Sequence, residues 1–231
     1  MGYDTDLLCV DCYEGTACLI NKFNIRDISQ LALIEAEITF AKASELEQNP
    51  MAGQFDFAHY KAIHKYLFSD LYGWAGEIRT VDMSKKGTVF VPAAQIESVA
   101  DACFARLKEN HCFADCGYPD FIDGIVDFYC VTNMLHPFRE GNGRAQRAFI
   151  SQLVRHAGYS IDFSKICSDE LLIATIQSAN GVTDYLKALF EEMITKYNIR
   201  FACFYDDIYL YSVKSILTAV PIWEWQFFVF R

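Results

Sequence analysis

Between two runs of helix-period apolar residues stands the segment His136-Pro137-Phe138-Arg139-Glu140-Gly141-Asn142-Gly143-Arg144-Ala145-Gln146-Arg147. It constrains the fold more than any other stretch. Pro137 biases His136 away from right-handed helical geometry, so the apolar helix before it must end there. The Gly-Asn-Gly run permits a tight loop that another group can approach closely. A helical run follows, from Arg144 through Phe149, Ile150, Leu153 and Val154. The outcome is a loop that feeds a helix N-terminus. The first N–H groups there lack internal acceptors and sit at the positive end of the dipole, which makes an anion site. Arg144 and Arg147 lie three apart, share a helical face, and can both reach a phosphate chain. Glu140 repels an anion unless Mg²⁺ bridges the two. His136 is the side-chain type that serves as a general base near neutral pH. Taken singly, a Gly-Asn-Gly run is a turn and a histidine beside a proline is structural. Gathered within one window, the residues argue for a bound nucleotide or phosphate ester, a neutralising metal, and transfer to a hydroxyl acceptor.

Composition narrows the partners. The chain has 231 residues, 20 basic and 30 acidic side chains, and a formal charge of −10. That length fits one sizeable domain with room for a real core. With 19 Phe, 13 Tyr and 3 Trp against 5 Pro, intrinsic disorder is excluded. A net acidic surface disfavours direct nucleic-acid binding and docking on an anionic membrane. Yet segment 136–147 carries three arginines against one glutamate, so it is basic within an acidic protein. The nine cysteines cannot all pair, since their number is odd. Their spacings form no matched zinc-ligand pairs, and Cys9 and Cys12 have redox-motif spacing without a preceding strand pattern. The expectation is reduced, mostly buried thiols in a reducing compartment. Acidic residues where a signal peptide has bases, and no long apolar run, point to a cytoplasmic address without a membrane span.

Helix-period patterns begin after Asp27, with Ile28, Leu31, Ile34, Ile38 and Ala41 on one stripe and Glu35, Glu37 and Lys42 elsewhere. A second follows Asp56, with Phe57, Tyr60, Ile63, His64, Leu67 and Leu71 aligned. Residues 78–83 alternate, Ser84-Lys85-Lys86-Gly87 supplies a turn, and 88–91 reads as a returning strand, which predicts a β-hairpin. Helices are expected at about 93–109, 120–135, 142–157, 168–179 and 183–197, with Ser168 as an N-cap. Residues 197–231 differ: 11 of these 35 are aromatic, without a periodicity that assigns a structure. The division expected is a domain over 1–196 and an aromatic-rich tail over 197–231.

Residues His136 to Arg147 resemble the full signature of the Fic (filamentation-induced-by-cAMP) family, His-x-Phe-x-(Asp/Glu)-Gly-Asn-Gly-Arg-x-x-Arg, at every fixed position. The resemblance extends to Tyr13-Glu14-Gly15-Thr16, to Phe55-Asp56 with Ala58-His59, and to Ile63-His64 and Leu67-Phe68. It continues through Tyr72-Gly73-Trp74-Ala75-Gly76-Glu77, Arg79-Thr80-Val81 and Ser84-Lys85, so about 13–196 is covered. It implies a mainly α, Fic-like helical bundle with a small β-hairpin flap. It also implies a protein adenylyltransferase that moves AMP from ATP onto a Ser, Thr or Tyr hydroxyl. By similarity His136 deprotonates that hydroxyl and Glu140 holds Mg²⁺. Gly141, Asn142 and Gly143 form the anion hole, Asn142 adding a side-chain contact, and Arg144 and Arg147 hold the β- and γ-phosphates. Phe138 anchors the loop. The flap residues Thr80, Val81, Asp82, Met83, Ser84, Lys85, Thr88, Val89 and Phe90 pair with an extended target segment by β-augmentation. Asn180 and Ile176, near a helix end, face adenine; Asn180 also fits a helix C-cap.

The family's inhibitory motif, (Ser/Thr)-x-x-x-Glu-(Gly/Asn), is not found here. Its nearest approach, Ser44-Glu45-Leu46-Glu47-Gln48-Asn49, has Gln at the critical place. The resemblance therefore implies the toxin half of a toxin–antitoxin pair, with a small antitoxin supplying the inhibitory Glu to Arg147. Relatives of this class also suggest a type II topoisomerase subunit as target. Two alternatives stay open: a Fic enzyme that transfers UMP, phosphocholine or phosphate, and a nucleotide-binding interaction module without turnover. The intact motif, with Gly143 and both arginines, favours a triphosphate nucleotide and argues against the shortened phosphotransfer variants, and His136 argues against the second.

Overall fold

The computed structural model of the chain describes residues 11–196. The aromatic tail at 197–231 lies outside them. Seven α-helices occur among the described residues: α1 (Ile28–Gln48), α2 (Phe57–Phe68), α3 (Ile96–Glu109), α4 (Tyr118–Leu135), α5 (Asn142–His156), α6 (Ser168–Ala179) and α7 (Asp184–Met193). Two antiparallel strand pairs accompany them: the hairpin of β1 (Ser84–Lys85) with β2 (Thr88–Val89), and β3 (Tyr159–Ile161) with β4 (Ile194–Lys196), which α6 and α7 separate in the chain. A helical bundle with a small hairpin flap is therefore the observed architecture. None of the described helices is long and apolar enough to cross a membrane.

Side-chain chemistry sets the helix starts. Asp27 accepts from the Gln30 N–H and Asp56 from the His59 N–H, each at 2.8 Å, so both helices open on a carboxylate cap. The helix α5 is central and packs against α1, α2 and α4. Its Phe149, Ile150, Leu153 and Val154 are fully buried. The ring of Phe149 meets Tyr60 of α2 and Phe104 of α3 edge-on, with centroids 5.3 and 5.7 Å apart. The helix that follows the motif is thus held by the core on several sides, and its N-terminus is placed accordingly.

Five expectations change. The buried line of α1 is Leu31, Glu35, Thr39 and Leu46, while Ile28 is exposed. The stripe read from apolar residues was rotated off, because polar side chains of α1 face inward toward Arg144 and Tyr72. The last helix ends at Met193 rather than 197: the β-branched Ile194-Thr195 pair continues as a strand against β3. The flap has two ladder pairs, Ser84 with Val89 and Lys85 with Thr88, in place of long strands. Lys86 and Gly87 both have positive φ, 48° and 81°, which suits a two-residue turn matched to strand twist. Finally, Cys12 is disulfide-bonded, whereas Cys18, Cys103, Cys112, Cys116, Cys130 and Cys167 are free, so the all-reduced reading fails at Cys12. An odd total excludes a complete set of pairs but not a single pair. Ser168 opens α6 as its first residue, and Cys167 stands at the cap position.

Candidate active site

Helix α4 ends at His136, which caps it in the left-handed region at φ 41°, ψ 58°. Its Nδ1 lies 3.2 Å from the Asn133 carbonyl oxygen. A carbonyl can only accept, so Nδ1 carries the proton and Nε2 is the basic nitrogen of the neutral ring. The imidazole is buried and stacks on Phe90 at 3.7 Å between centroids, with 9° between planes. Burial pushes its pKa down to about 3; the Asn133 carbonyl opposes this, and the charges of Lys85 and Arg79 add to it.

The loop after His136 is pinned from below. Phe138 is fully buried and stacks on the His64 ring at 3.8 Å. His64 accepts from the Gly76 N–H at Nδ1, 2.9 Å, so its Nε2 donates to the Glu140 carbonyl, also 2.9 Å. Burial lowers the pKa of His64 to about 4 and keeps it neutral in that bridging tautomer. The amide of Asn142 closes the loop: Oδ1 accepts from the Phe138 N–H at 2.8 Å and Nδ2 donates to its carbonyl at 2.7 Å. Gly141 has φ 78°, and a Cβ there would stand 2.1 Å from the Phe68 ring, so backbone and packing both require glycine. At the head of α5 the Arg144 and Ala145 N–H groups return to the Gly141 carbonyl, both at 3.1 Å. Those of Asn142 and Gly143 come earlier and have no acceptor within the helix.

The two motif arginines are not equivalent. Arg144 pairs with Glu35 at 2.5 Å and lies 3.6 Å from Glu140. It also donates to Thr39 Oγ1 at 3.1 Å and lies over the Phe68 ring. The other oxygen of Glu35 accepts from the Tyr72 hydroxyl. Burial alone would lower the Arg144 pKa, but Glu35 and Glu140 raise it above the ordinary value. Arg147 has no pairing carboxylate among the described residues. Burial, with Arg144 nearby, lowers its pKa, and its guanidinium would stand 3.4 Å from a Cβ on Gly143. It is a half-buried cation at the mouth of the anion loop.

Glu140 is half-buried and spends Oε1 on the Gly141 N–H at 2.8 Å. The other oxygen is the one suited to a cation. The described residues hold no group of three or more potential metal ligands. One carboxylate plus phosphate oxygens matches the way Mg²⁺ is commonly held, so the residues fit that ion when a nucleotide is bound.

Of the flap residues, Met83 and Phe90 face inward, Asp82 accepts from the Ala93 N–H at 2.7 Å, and Val89 is 71% exposed. Thr80 is exposed; Val81, Ser84, Lys85 and Thr88 are half-buried. At the end of α6, Asn180 donates to the Ile176 carbonyl at 2.9 Å and occupies the C-cap position. Ile176 is half-buried. The structure adds Glu35, Thr39, His64, Tyr72 and Arg79 to the site. The residue pattern gives them no site role: Glu35 lies off the apolar stripe read for α1 and His64 on that of α2, and Tyr72 and Arg79 enter only through the family resemblance.

The family model described as Fic/DOC matches residues 54–154. The protein named probable protein adenylyltransferase y4lH, from Sinorhizobium fredii, is 38% identical over 184 residues, which cover 79% of this chain and 94% of that protein. Protein adenylyltransferase VbhT of Bartonella schoenbuchensis is 36% identical over 80% of this chain, which spans only 38% of that longer protein. The solved BepC protein of Bartonella tribocorum, with bound AMPPNP, superposes with a TM-score of 0.77 at 28% identity and covers 82% of this chain and 98% of its own.

Proposed function

Because the chain belongs to the Fic/DOC family, we propose that it is a protein adenylyltransferase that moves AMP from ATP onto a Ser, Thr or Tyr hydroxyl of a target protein. The observation that carries this is the neutral His136, its Nδ1 committed to Asn133, set beside the N-terminus of α5. The hydroxyl oxygen attacks the α-phosphorus, and its proton goes to His136 Nε2. The bond from the α-phosphorus to the bridging oxygen of the β-phosphate breaks, and pyrophosphate leaves. The N–H groups at the head of α5, with Gly141 and Gly143 keeping the approach open, receive the phosphates. Arg147 balances the charge of the outer phosphates. Arg144, paired with Glu35, borders the same anion site from the α1 side. Asn142 spends its side chain on Phe138, so its part is to shape the loop. Mg²⁺, when bound through Glu140, supplies charge neutralisation of the phosphates. Asn180 and Ile176 flank the adenine, and the flap from Thr80 to Phe90 aligns the target strand.

Regulation is proposed on the same footing. The absence of the family's inhibitory motif in the sequence, together with Arg147 lacking a carboxylate partner among the described residues, supports a toxin restrained by a separate antitoxin that supplies a Glu to Arg147. A type II topoisomerase subunit is the first target to test, and the cytoplasm is the compartment proposed.

The test is ATP labelled at the α-phosphate, incubated with cell lysate. Wild type is expected to label protein, and His136→Ala to lose about a thousandfold in rate while retaining ATP binding. Equal labelling by His136→Ala would refute the base assignment. Label arriving only from the γ-phosphate would replace AMP transfer with phosphate transfer.

A further inference from the structure

Beyond its charge, which helps lower the His136 pKa, Arg79 has no part in the chemistry above, yet its side chain joins three separate pieces of the site. It is only 4% exposed. Its Nε donates to the His136 carbonyl at 2.8 Å, Nη1 to the Val81 carbonyl at 2.6 Å, and Nη2 to the Val91 carbonyl. Its own backbone N–H donates to the Pro137 carbonyl at 2.8 Å, and the Val91 N–H donates to the Met134 carbonyl at 3.0 Å. Val81 and Val91 are the two feet of the flap. Met134 to Pro137 is the stretch that turns α4 into the motif loop and holds His136 in the left-handed region.

Two physical facts give this junction a role. A hairpin with two ladder pairs has little stability alone, so its position relative to the base must come from its feet. A hydroxyl must also lie within hydrogen-bond reach of the basic nitrogen, and a displacement of about 1 Å can cost on the order of a hundredfold in rate. A planar guanidinium with donors in a fixed fork can hold three carbonyls in one geometry, which an ammonium on a flexible stem does not. The tethers of the phosphate loop, His64 and Asn142, are different residues on different elements.

We propose that Arg79 is a positioning residue. It locks both feet of the flap to the backbone of His136, so that a target segment paired with the flap presents its hydroxyl at the imidazole. This rests on the adenylyl-transfer reading, and it predicts that target alignment and nucleotide binding separate on substitution.

Arg79→Met and Arg79→Lys are to be compared with wild type for labelling of a fixed target by α-labelled ATP. In Arg79→Met, kcat is expected to fall about 100-fold while KM for ATP stays within about twofold. Arg79→Lys, which keeps the charge without the fork, is expected to fall about tenfold. Wild-type kcat in a folded variant, or a rise in ATP KM parallel to the loss in kcat, overturns the proposal. Amide hydrogen exchange on the same proteins reads the tether without activity: exchange across 83–91 is expected to quicken, and exchange across 143–150 to stay unchanged. Unchanged flap exchange overturns the proposal. If wild type labels nothing yet flap exchange quickens, the transfer reading fails and the tether stands. If Arg79→Met does not fold, Arg79→Lys carries both readouts.

Discussion

The phosphate half of the site and the acceptor half are built on opposite plans. Around the phosphate loop, side chains from three helices converge: Glu35 and Thr39 from α1, His64 from α2, and Asn142 and Arg144 from α5. Polar groups there answer one another in buried surroundings, where each bond carries more weight than at the surface. The acceptor half is a hairpin of two ladder pairs, open at its tip and held at its base. Under the proposed function the difference follows the ligands. A triphosphate presents the same geometry at every turnover, so a rigid loop can be complementary to it. Protein segments differ in side chain but share a backbone, so a short strand edge with little side-chain demand suits them.

Two glycines with the same backbone sign give the largest contrast. Gly141→Ala puts a methyl 2.1 Å from the Phe68 ring in a left-handed residue, where Gly87→Ala meets the same strain at the flap tip with nothing within 4 Å. Gly141→Ala is expected to cost at least about 3 kcal/mol, from overpacking and strain together, and Gly87→Ala about 1 kcal/mol. Urea unfolding of the two variants measures both. Equal losses would mean that the phosphate loop is no better packed than the flap.

Glu35→Ala comes next. It leaves Arg144, close to Arg147, with only the longer 3.6 Å contact to Glu140, and removes the acceptor of the Tyr72 hydroxyl. Breaking a fully buried pair costs about 3–5 kcal/mol, and partial exposure of Arg144 brings the expectation down to about 2–3 kcal/mol. The mostly exposed pair Arg106–Asp127, at 3.1 Å, provides the control: Arg106→Ala is expected to cost less than about 1 kcal/mol. Glu35→Ala should also raise KM for ATP and leave KM for the target unchanged. A rise in target KM alone would break the division between the halves.

These residues mark where reading the sequence succeeded and where it stopped. The loop was legible because its chemistry is local: Pro137 ends α4, Gly141 permits the turn, and α5 begins at Asn142. The helix starts at Asp27 and Asp56 were legible because a cap acts over three residues. The rotation of α1 was not, since Glu35 is inward only because Arg144, 109 residues later, lies opposite. A hydrophobicity pattern places a glutamate outward by default. Arg79 was hidden for the same reason: its partners are backbone carbonyls, which leave no trace in side-chain identity.

Lowering pH tests the phosphate half by a smaller margin. His64 has its folded pKa lowered to about 4, below the ordinary histidine value near 6.5. Its neutral form is the folded one, so this contribution is present above pH 6.5 and is lost as pH falls toward 4. By pH 4.5 the loss from His64 is roughly 2 kcal/mol. Unfolding midpoints at pH 7.5 and 4.5 are expected to show it, with a shallower slope in His64→Gln. His136, with a pKa of about 3, is neutral across the same range. The base therefore contributes no acidic limb to kcat between pH 8 and 5.5, and a limb near 6.5 would contradict its burial.

The smallest effect on stability lies at Val89, and set against its neighbour Phe90 it is the sharpest test of the acceptor half. Neighbours on a strand point to opposite faces. Val89 is open to solvent, while Phe90 is buried and stacks on the His136 imidazole. Phe90→Ala is expected to destabilise by about 3 kcal/mol and to lower kcat, since it frees the His136 ring. Val89→Ala should change stability by less than about 0.5 kcal/mol. If the flap holds its target through backbone pairing, Val89→Ala raises target KM only a few-fold and leaves both kcat and ATP KM unchanged. A loss of target modification as deep as that of Phe90→Ala would mean that the exposed side chain itself selects the substrate. The acceptor half would then be as specific as the phosphate half, and its openness would be a surface shaped for one partner.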